Sequence, residues 1–330
     1  MKTMEDVRQK TKKPIGWDGK TLKEMRAEID RLSKETGYYA GIKELTLKES
    51  DPIRFEKIFA KLRGGVVHAR ETAKKVAASP IVEQEGELCF SLYTPEADSI
   101  VTSTGIIIHV GTMGAAIKFM IENDYEENPG INDGDIFCNN DNHVGNVHTC
   151  DVHTLVPIFW EDELVGWVGG VTHVIDTGAA GPGSMPMGPV QRYDDGYQVT
   201  CRKVGENDTL YKDWLLESTR SVRAAKYWTL DEKTRVAGCH MIRDLVLDII
   251  EEEGIDTYKR FIREIIEDGR RGFVNQVKTM TIPGKYRGVS FIDVPFEGLD
   301  LPKFAQYNSI IHTPSEITIH KDGKLEIDFE

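Results

Sequence analysis

Histidine and carboxylate crowd one short stretch of this chain. Residues 146–153 read NVHTCDVH, and the preceding GDIFCNNDNHVG adds His143, Asp135, Asp141 and three asparagines. The chain has nine histidines in 330 residues, and three of them lie between 143 and 153. Imidazole with carboxylate is the ligand chemistry of Mn²⁺, Fe²⁺ or Zn²⁺, since imidazole is a borderline donor and carboxylate a hard one. His148 and Asp151 are three apart, which in a regular strand puts them on opposite faces. They converge only if HTCD turns, and Gly145-Asn146 just upstream favours an irregular backbone. Asp151 and His153, two apart, share a face of a strand. His173 is the best third ligand, because it lies on the far strand of an expected hairpin that folds back beside Asp151. Asp176 follows as a partner that could orient a ligand. The alternative is a hydrogen-bonded loop that happens to contain His-x-x-Asp, and the spacing leaves both open. Cys150 reads as a small buried residue, since a His/Asp site needs no thiolate.

Other polar clusters carry less. GAAGPGSMPMG, 178–188, lacks the spacing and the lysine of a phosphate-binding GxxxxGK[ST] loop, so it reads as a lid or packing loop. Glu83, Glu85 and Glu87 alternate and would share one face of an extended segment, with Glu87 open to a supporting or proton-transfer role. Arg220, Arg223 and Lys226 could meet an anion such as bicarbonate or phosphate, or form a solvated helix face or subunit contact. His240, beside Cys239, reads as packing within a helix.

These groups need a scaffold. TLKEMRAEIDRLSKETG places Leu22, Met25, Ile29 and Leu32 at helical spacing, with Gly37 as the stop. Ser50 or Asp51 caps a second helix that has Pro52 in its first turn, and Gly64-Gly65 is expected to bend or break it. ELCFSLYT, SIVTSTGIIIHV and DIFCNN read as strands, and GTMGAAIKFMIEND as a short helix. TLVPIFW and LVGWVGGVTHVI flank EDE and predict the hairpin. Residues 231–253 and 256–280 form two amphipathic helices parted by Gly254, and ITIHKDGKLEIDFE a hairpin turning at Asp322-Gly323. The fold class is therefore α/β in the mixed α+β sense, mixed sheets with flanking helices. Three regions are expected: a helical segment over 1–80 that opens with a polar arm over 1–20, a metal-site α/β domain over 81–230, and over 231–330 a helical pair followed by a β segment. The strand ending at Glu330 suggests a domain that continues further.

Composition excludes several classes. Hydrophobic residues at 40% and charged residues at 29% describe a globular chain. A net charge of −13 argues against nucleic acid and anionic membranes as partners. No apolar run is long enough for a bilayer, and the N-terminus has no signal-peptide core. Five scattered cysteines with no CxxC fit reduced thiols in a cytoplasm.

Several long phrases carry a resemblance. HVGTM (109–113), GDIFCNND (134–141), HTCD (148–151) and HVIDTGAAGPGSM (173–185) occur in the order seen in the hydantoinase B / 5-oxoprolinase family. ASPIVEQEGELCFSLY, VPIFWEDELVGWVGGVTHVIDTG and RVAGCHMIRDLV are similar to its acetone carboxylase alpha subunits. The resemblance implies a hydantoinase B-like fold and an ATP-dependent carboxylation of acetone by bicarbonate to acetoacetate. It implies a heteromer with beta and gamma subunits, in which ATP is used by the beta subunit. It implies Mn²⁺, rather than Fe²⁺ or Zn²⁺, on His148, Asp151 and His173. That ion would polarise an activated carboxyl group and stabilise an enolate oxygen. Glu87, His153 and Asp176 are candidates for orienting or proton-transfer work. Those alpha subunits are longer than this chain, so an N-terminal portion is expected. An ATP-dependent hydantoin or oxoproline amide hydrolase, and an inactive truncated or scaffolding subunit, are the rival readings.

Overall fold

Runs of β-branched and aromatic residues between 88 and 210 become one sheet. The structure is a computed structural model that describes residues 13–183, 191–294 and 308–329. The strands are β1 (Leu88–Tyr93), β2 (Ser99–Thr102), β3 (Ile136–Asn139), β4 (Asp151–Trp160), β5 (Glu163–His173), β6 (Arg202–Glu206) and β7 (Thr209–Leu210). They pair in the order β2-β1-β5-β4-β3-β6-β7, and each pairing is antiparallel. The expected hairpin is its centre: β4 and β5 are joined through Glu161-Asp162, with Glu161 at φ 55°. The helices are α1 (Leu22–Thr36), α2 (Thr46–Ser50), α3 (Pro52–Val76), α4 (Ile108–Glu122), α5 (Lys212–Ser221), α6 (Ala225–Glu253) and α7 (Ile255–Met280). No helix among the described residues is long and apolar enough to cross a membrane.

Strand alternation sorts the core into two layers. On one face Cys89, Tyr93, Phe137, Leu155, Trp167 and Val171 pack with Met113, Ala116, Ile117 and Met120 of α4 and Leu22 and Met25 of α1. On the other, Ile136, Cys138, Val152 and Val204 pack with Trp214 of α5 and Trp228 of α6. Thr21 caps α1 in a reciprocal box with Glu24, and Asp51 accepts from Arg54 N at the start of α3.

Compact units run Met1–Glu264 and Ile265–Glu330. The second unit holds β8 (Gly284–Val294), β9 (Ser309–Ile319) and β10 (Leu325–Asp328), an antiparallel sheet in the order β10-β9-β8. The Asp322-Gly323 turn falls where the sequence puts it, with Gly323 at φ 88°, a conformation glycine adopts without strain.

Four expectations are corrected. SIVTSTGIIIHV is not one strand: β2 ends at Thr102, and Ile108 opens α4, so His109, Thr112, Met113, Ala116 and Ile117 recur at helical spacing on the buried face. α3 runs unbroken through Gly64-Gly65. A Cβ at Gly65 would collide with Leu245 of α6, so this glycine lets two helices approach. Residues Ile81–Glu85 form one helical turn ended by Gly86 at φ 75°, so Glu83, Glu85 and Glu87 do not line an extended face. Of the polar arm, residues 1–12 lie outside the described residues, and 13–20 pack along the body. Ile15 N donates to Glu126 and Trp17 Nε1 donates to the Leu164 carbonyl.

Beneath β4 and β5, α6 buries three charged side chains completely: Asp231, Glu232 and Arg235. The Arg235 guanidinium donates to Glu232, to Thr154 Oγ1 at 3.0 Å and to Thr172 Oγ1. Burial pushes the Asp231 carboxyl up to about 6, against the opposing pull of Arg235. Its unfolded value is near 4, so the folded state holds this proton more tightly. Stability from this group therefore falls as pH rises from about 4 to 6 and stays low above, a loss of about 3 kcal/mol. Asp231→Asn is expected to raise the melting midpoint at pH 7.5 and to flatten the stability profile between pH 4 and 6, measured by thermal denaturation across that range.

Candidate metal centre

The hairpin register sets Asp151 directly opposite His173. The turn that the spacing requires is present just before β4, where Asp151 N donates to the His148 carbonyl at 3.1 Å. It carries His148 round to the same side. Nδ1 of His173 lies 3.1 Å from Asp151 Oδ1, and Nδ1 of His148 lies 3.4 Å from Asp151 Oδ2. One ligand atom from each of His148, Asp151 and His173 lies within 4.8 Å of the others. Such a spread suits three donors around one cation.

The carbonyls of the turn are all accounted for. His148 O and Asp151 O accept from the two N–H bonds of Asn146, at 2.9 and 2.7 Å. Thr149 O accepts from Asn140 Nδ2 at 2.8 Å, and Cys150 O from Val174 N at 2.8 Å. Buried backbone acceptors need such partners. The asparagines of the motif supply them where the ladder cannot.

Asp151 is 1% exposed, and its ion-pair partners are all imidazoles: His148, His173 and His109, whose Nε2 is 3.8 Å from Oδ1. Burial lowers the pKa of His109 and of His148, and in both cases the Asp151 charge opposes that shift. Asp151 Oδ2, His148 Nδ1 and His109 Nδ1 are buried without a hydrogen bond. A neutral imidazole protonated at Nε2 offers Nδ1 as a lone pair. A lone pair converging with a carboxylate oxygen is repulsive unless a cation or proton lies between them. The donor set therefore fits a divalent cation of intermediate hardness.

His153 is two residues along, fully buried and on the α4 face. Its Nε2 lies 3.2 Å from Thr112 Oγ1 and its Nδ1 3.3 Å from Asn139 Nδ2. Asn139 Oδ1 accepts from Cys201 N, which turns the amide N–H toward His153 and makes Nδ1 the acceptor. Burial pushes the His153 imidazole down to about 3, so it is neutral with its proton on Nε2. Glu87 is half-buried. Its carbonyl accepts from His173 N at 3.0 Å, and its charge raises the proton affinity of His109 and His148. Asp176 lies three residues beyond His173 and accepts from Gly178 N, Gly183 N and Arg223 N, with the Arg223 guanidinium 3.0 Å away. These contacts hold its carboxyl below the usual range despite burial. Arg223 also donates to the carbonyls of Ala179 and Gly181, so one member of the basic cluster ties down the start of the glycine-rich loop. The rest of that loop, 184–190, lies outside the described residues. His240 sits 3.3 Å from Asp208. All five cysteines are buried and none forms a disulfide.

His109, Thr112, Asn140 and Asn146 escape notice as site residues in the sequence. The usable signal is the period of HVGTMGAA, which puts 109, 112 and 116 on one helical face.

The profile of the hydantoinase B/oxoprolinase family matches residues 51–330. The chain belongs to that family. It is 63% identical over 315 residues to the acetone carboxylase alpha subunit of Xanthobacter autotrophicus, covering 94% of this chain and 41% of that protein. It is 29% identical over 212 residues to the acetophenone carboxylase delta subunit of Aromatoleum aromaticum, 63% of this chain and 30% of that one. A nucleotide-free structure of acetone carboxylase superposes with a TM-score of 0.93 at 61% identity, over 97% of this chain and 42% of that chain. An ATP-dependent caprolactamase from Pseudomonas jessenii shares the fold, with a TM-score of 0.72 at 18% identity, over 84% of this chain and 45% of that chain. This chain thus spans less than half the length of these relatives.

Arg223→Met is expected to loosen residues 177–183. Amide exchange there should quicken at least tenfold, while exchange in β4 and β5 stays slow, as read by mass spectrometry.

Proposed function

We propose that this chain is the metal-bearing part of an ATP-dependent acetone carboxylase, which joins acetone and bicarbonate into acetoacetate. The observation that carries this reading is the convergence of His148, Asp151 and His173 around a buried carboxylate oxygen that has no hydrogen bond. The 63% identity to an acetone carboxylase alpha subunit supports the choice of reaction. In this reading His148, Asp151 and His173 hold Mn²⁺, with Fe²⁺ and Zn²⁺ as the competing ions for the same donors. ATP is used on a partner beta subunit, and a gamma subunit completes the complex. The buried thiols, unlinked by disulfides, support a cytoplasmic setting.

The bound cation supplies Lewis-acid stabilisation of negative charge on oxygen. The protein residues do the rest. His148 is 31% exposed at its side chain against 2% for Asp151, so substrate reaches the site from the His148 side. Asp151 and the imidazoles fix the position of charge before reaction, which is the basis of electrostatic preorganisation. Glu87, half-buried and electrically coupled to His109 and His148, is the group we assign to proton transfer. His153 stays neutral and steadies Thr112 on α4. Asp176 orients the backbone that leaves His173, by gathering the N–H groups of Gly178 and Gly183.

Elemental analysis with Mn²⁺ EPR, on the chain purified with its partner subunits, tests the assignment. Near one Mn²⁺ per chain is expected, and Asp151→Ala should lose the metal and acetone-dependent fixation of labelled bicarbonate. Retention of Mn²⁺ by Asp151→Ala would sink the ligand assignment. Ring opening of hydantoin or 5-oxoproline without bicarbonate fixation would overturn the carboxylase reading. Chelation should also lower the melting midpoint of the wild-type chain and leave that of Asp151→Ala unchanged. Metal held at 100 times its dissociation constant contributes about 2.7 kcal/mol to the folded state.

A further inference from the structure

We infer that Asn146 is a positioning residue for the metal centre: its carboxamide clamps the two ends of the His148–Asp151 turn and so sets the angle between those two donors. This rests on the metal reading proposed above. Asn146 is 7% exposed and spends both of its N–H donors and one acceptor site of its oxygen on residues 147–151. One N–H donates to His148 O at 2.9 Å and the other to Asp151 O at 2.7 Å. Its Oδ1 accepts from Val147 N at 3.0 Å. A primary amide has two N–H donors, and this one spends them on the first and last residues of the turn that presents His148 and Asp151.

Geometry explains why a side chain is needed here. β4 begins at Asp151, so the backbone from His148 to Cys150 lies outside the ladder. Asp151 N already donates to His148 O, which closes the turn from one side only. Without Asn146, Asp151 O loses a buried partner and His148 O keeps a single one. Each of these two peptide planes then loses one of its restraints, and each carries a donor side chain with it. Asn140 does a different job. It donates to Thr149 O but also to Tyr197 O, and it accepts from Val199 N, so it knits the turn to a neighbouring segment. Asn146 touches nothing beyond its own turn in these contacts. Its loss should therefore be felt at the donors more than in the fold.

Asn146→Asp is the sharpest test. It keeps the shape and the acceptor for Val147 N, but places carboxylate oxygen against two carbonyls in place of an amide nitrogen. Asn146→Ala removes both donated bonds without adding charge, and carries the test if the aspartate variant fails to fold. The intact chain, freed of metal, is titrated with Mn²⁺ alone and followed by the EPR signal of free Mn²⁺. Thermal midpoints are measured on the same metal-free samples. Expected is a loss of Mn²⁺ affinity of about 10- to 100-fold, the range for residues that orient ligands, with metal-free midpoints within a few degrees of wild type. Two results overturn the inference: variants that bind Mn²⁺ as tightly as a wild-type chain that itself binds, or variants whose midpoints fall while affinity holds. A wild-type chain that binds no Mn²⁺ removes the metal reading itself, and the clamp with it.

Discussion

Asp151 is a carboxylate taken out of water and left without a full complement of hydrogen bonds. Desolvating such a charge is costly, and a fold that does so must return a compensating interaction. Its partners here are three imidazoles, and burial biases two of them, His109 and His148, toward the neutral form. Neutral imidazoles are ligands more than they are counter-charges. The cluster has the chemistry of a cation site, and much of the surrounding architecture serves to hold it in place.

Three separate devices bring the donors together. Strand register fixes Asp151 against His173, and a slip of one residue would turn one of them to the opposite face. Side-chain amides hold the turn that brings back His148. α4 closes the cluster from above its strands, with His109 beside Asp151 and Thr112 against His153. The opposite face of the same two strands is fastened by Arg235, which reaches Thr154 and Thr172 from α6. The hairpin is thus gripped from both sides near its open end, where the donors sit. A centre built on fastened strands is stiffer than one built on loops. The one loop at its margin, beyond His173, is anchored through Asp176 and Arg223.

Much of this was legible in the sequence. The hairpin announced itself through two apolar runs around Glu161-Asp162, and with it the meeting of Asp151 and His173. The three-residue spacing of His148 and Asp151 demanded a turn, and the turn is there. The stop of α1 at Gly37, the capped start of α3 and the break at Gly254 followed from local chemistry. What escaped depends on contacts distant in sequence. The isoleucines of GIIIHV favour a strand locally, yet the helical face that starts at His109 finds a sheet to bury against, so packing overrides propensity. Gly64-Gly65 looked like a break because the sequence does not show Leu245 approaching from α6. Arg223 looked like a surface cation because Asp176, 47 residues away, is not visible as its partner. The roles of Asn140 and Asn146 stayed hidden, since nothing in their order reveals which carbonyls they meet.

Membership of the hydantoinase B/oxoprolinase family places these residues on a scaffold shared by a carboxylase and, at the level of fold, a caprolactamase. The donor set is what any reading of this chain must explain. The most direct measurement is electron–nuclear double resonance on the Mn²⁺-loaded chain grown with ¹⁵N-labelled histidine. Two coupled histidine nitrogens are expected, from His148 and His173, with one remaining in His173→Ala. Absence of any histidine coupling, or a wild-type pattern that persists in His173→Ala, would contradict a cation held between these strands.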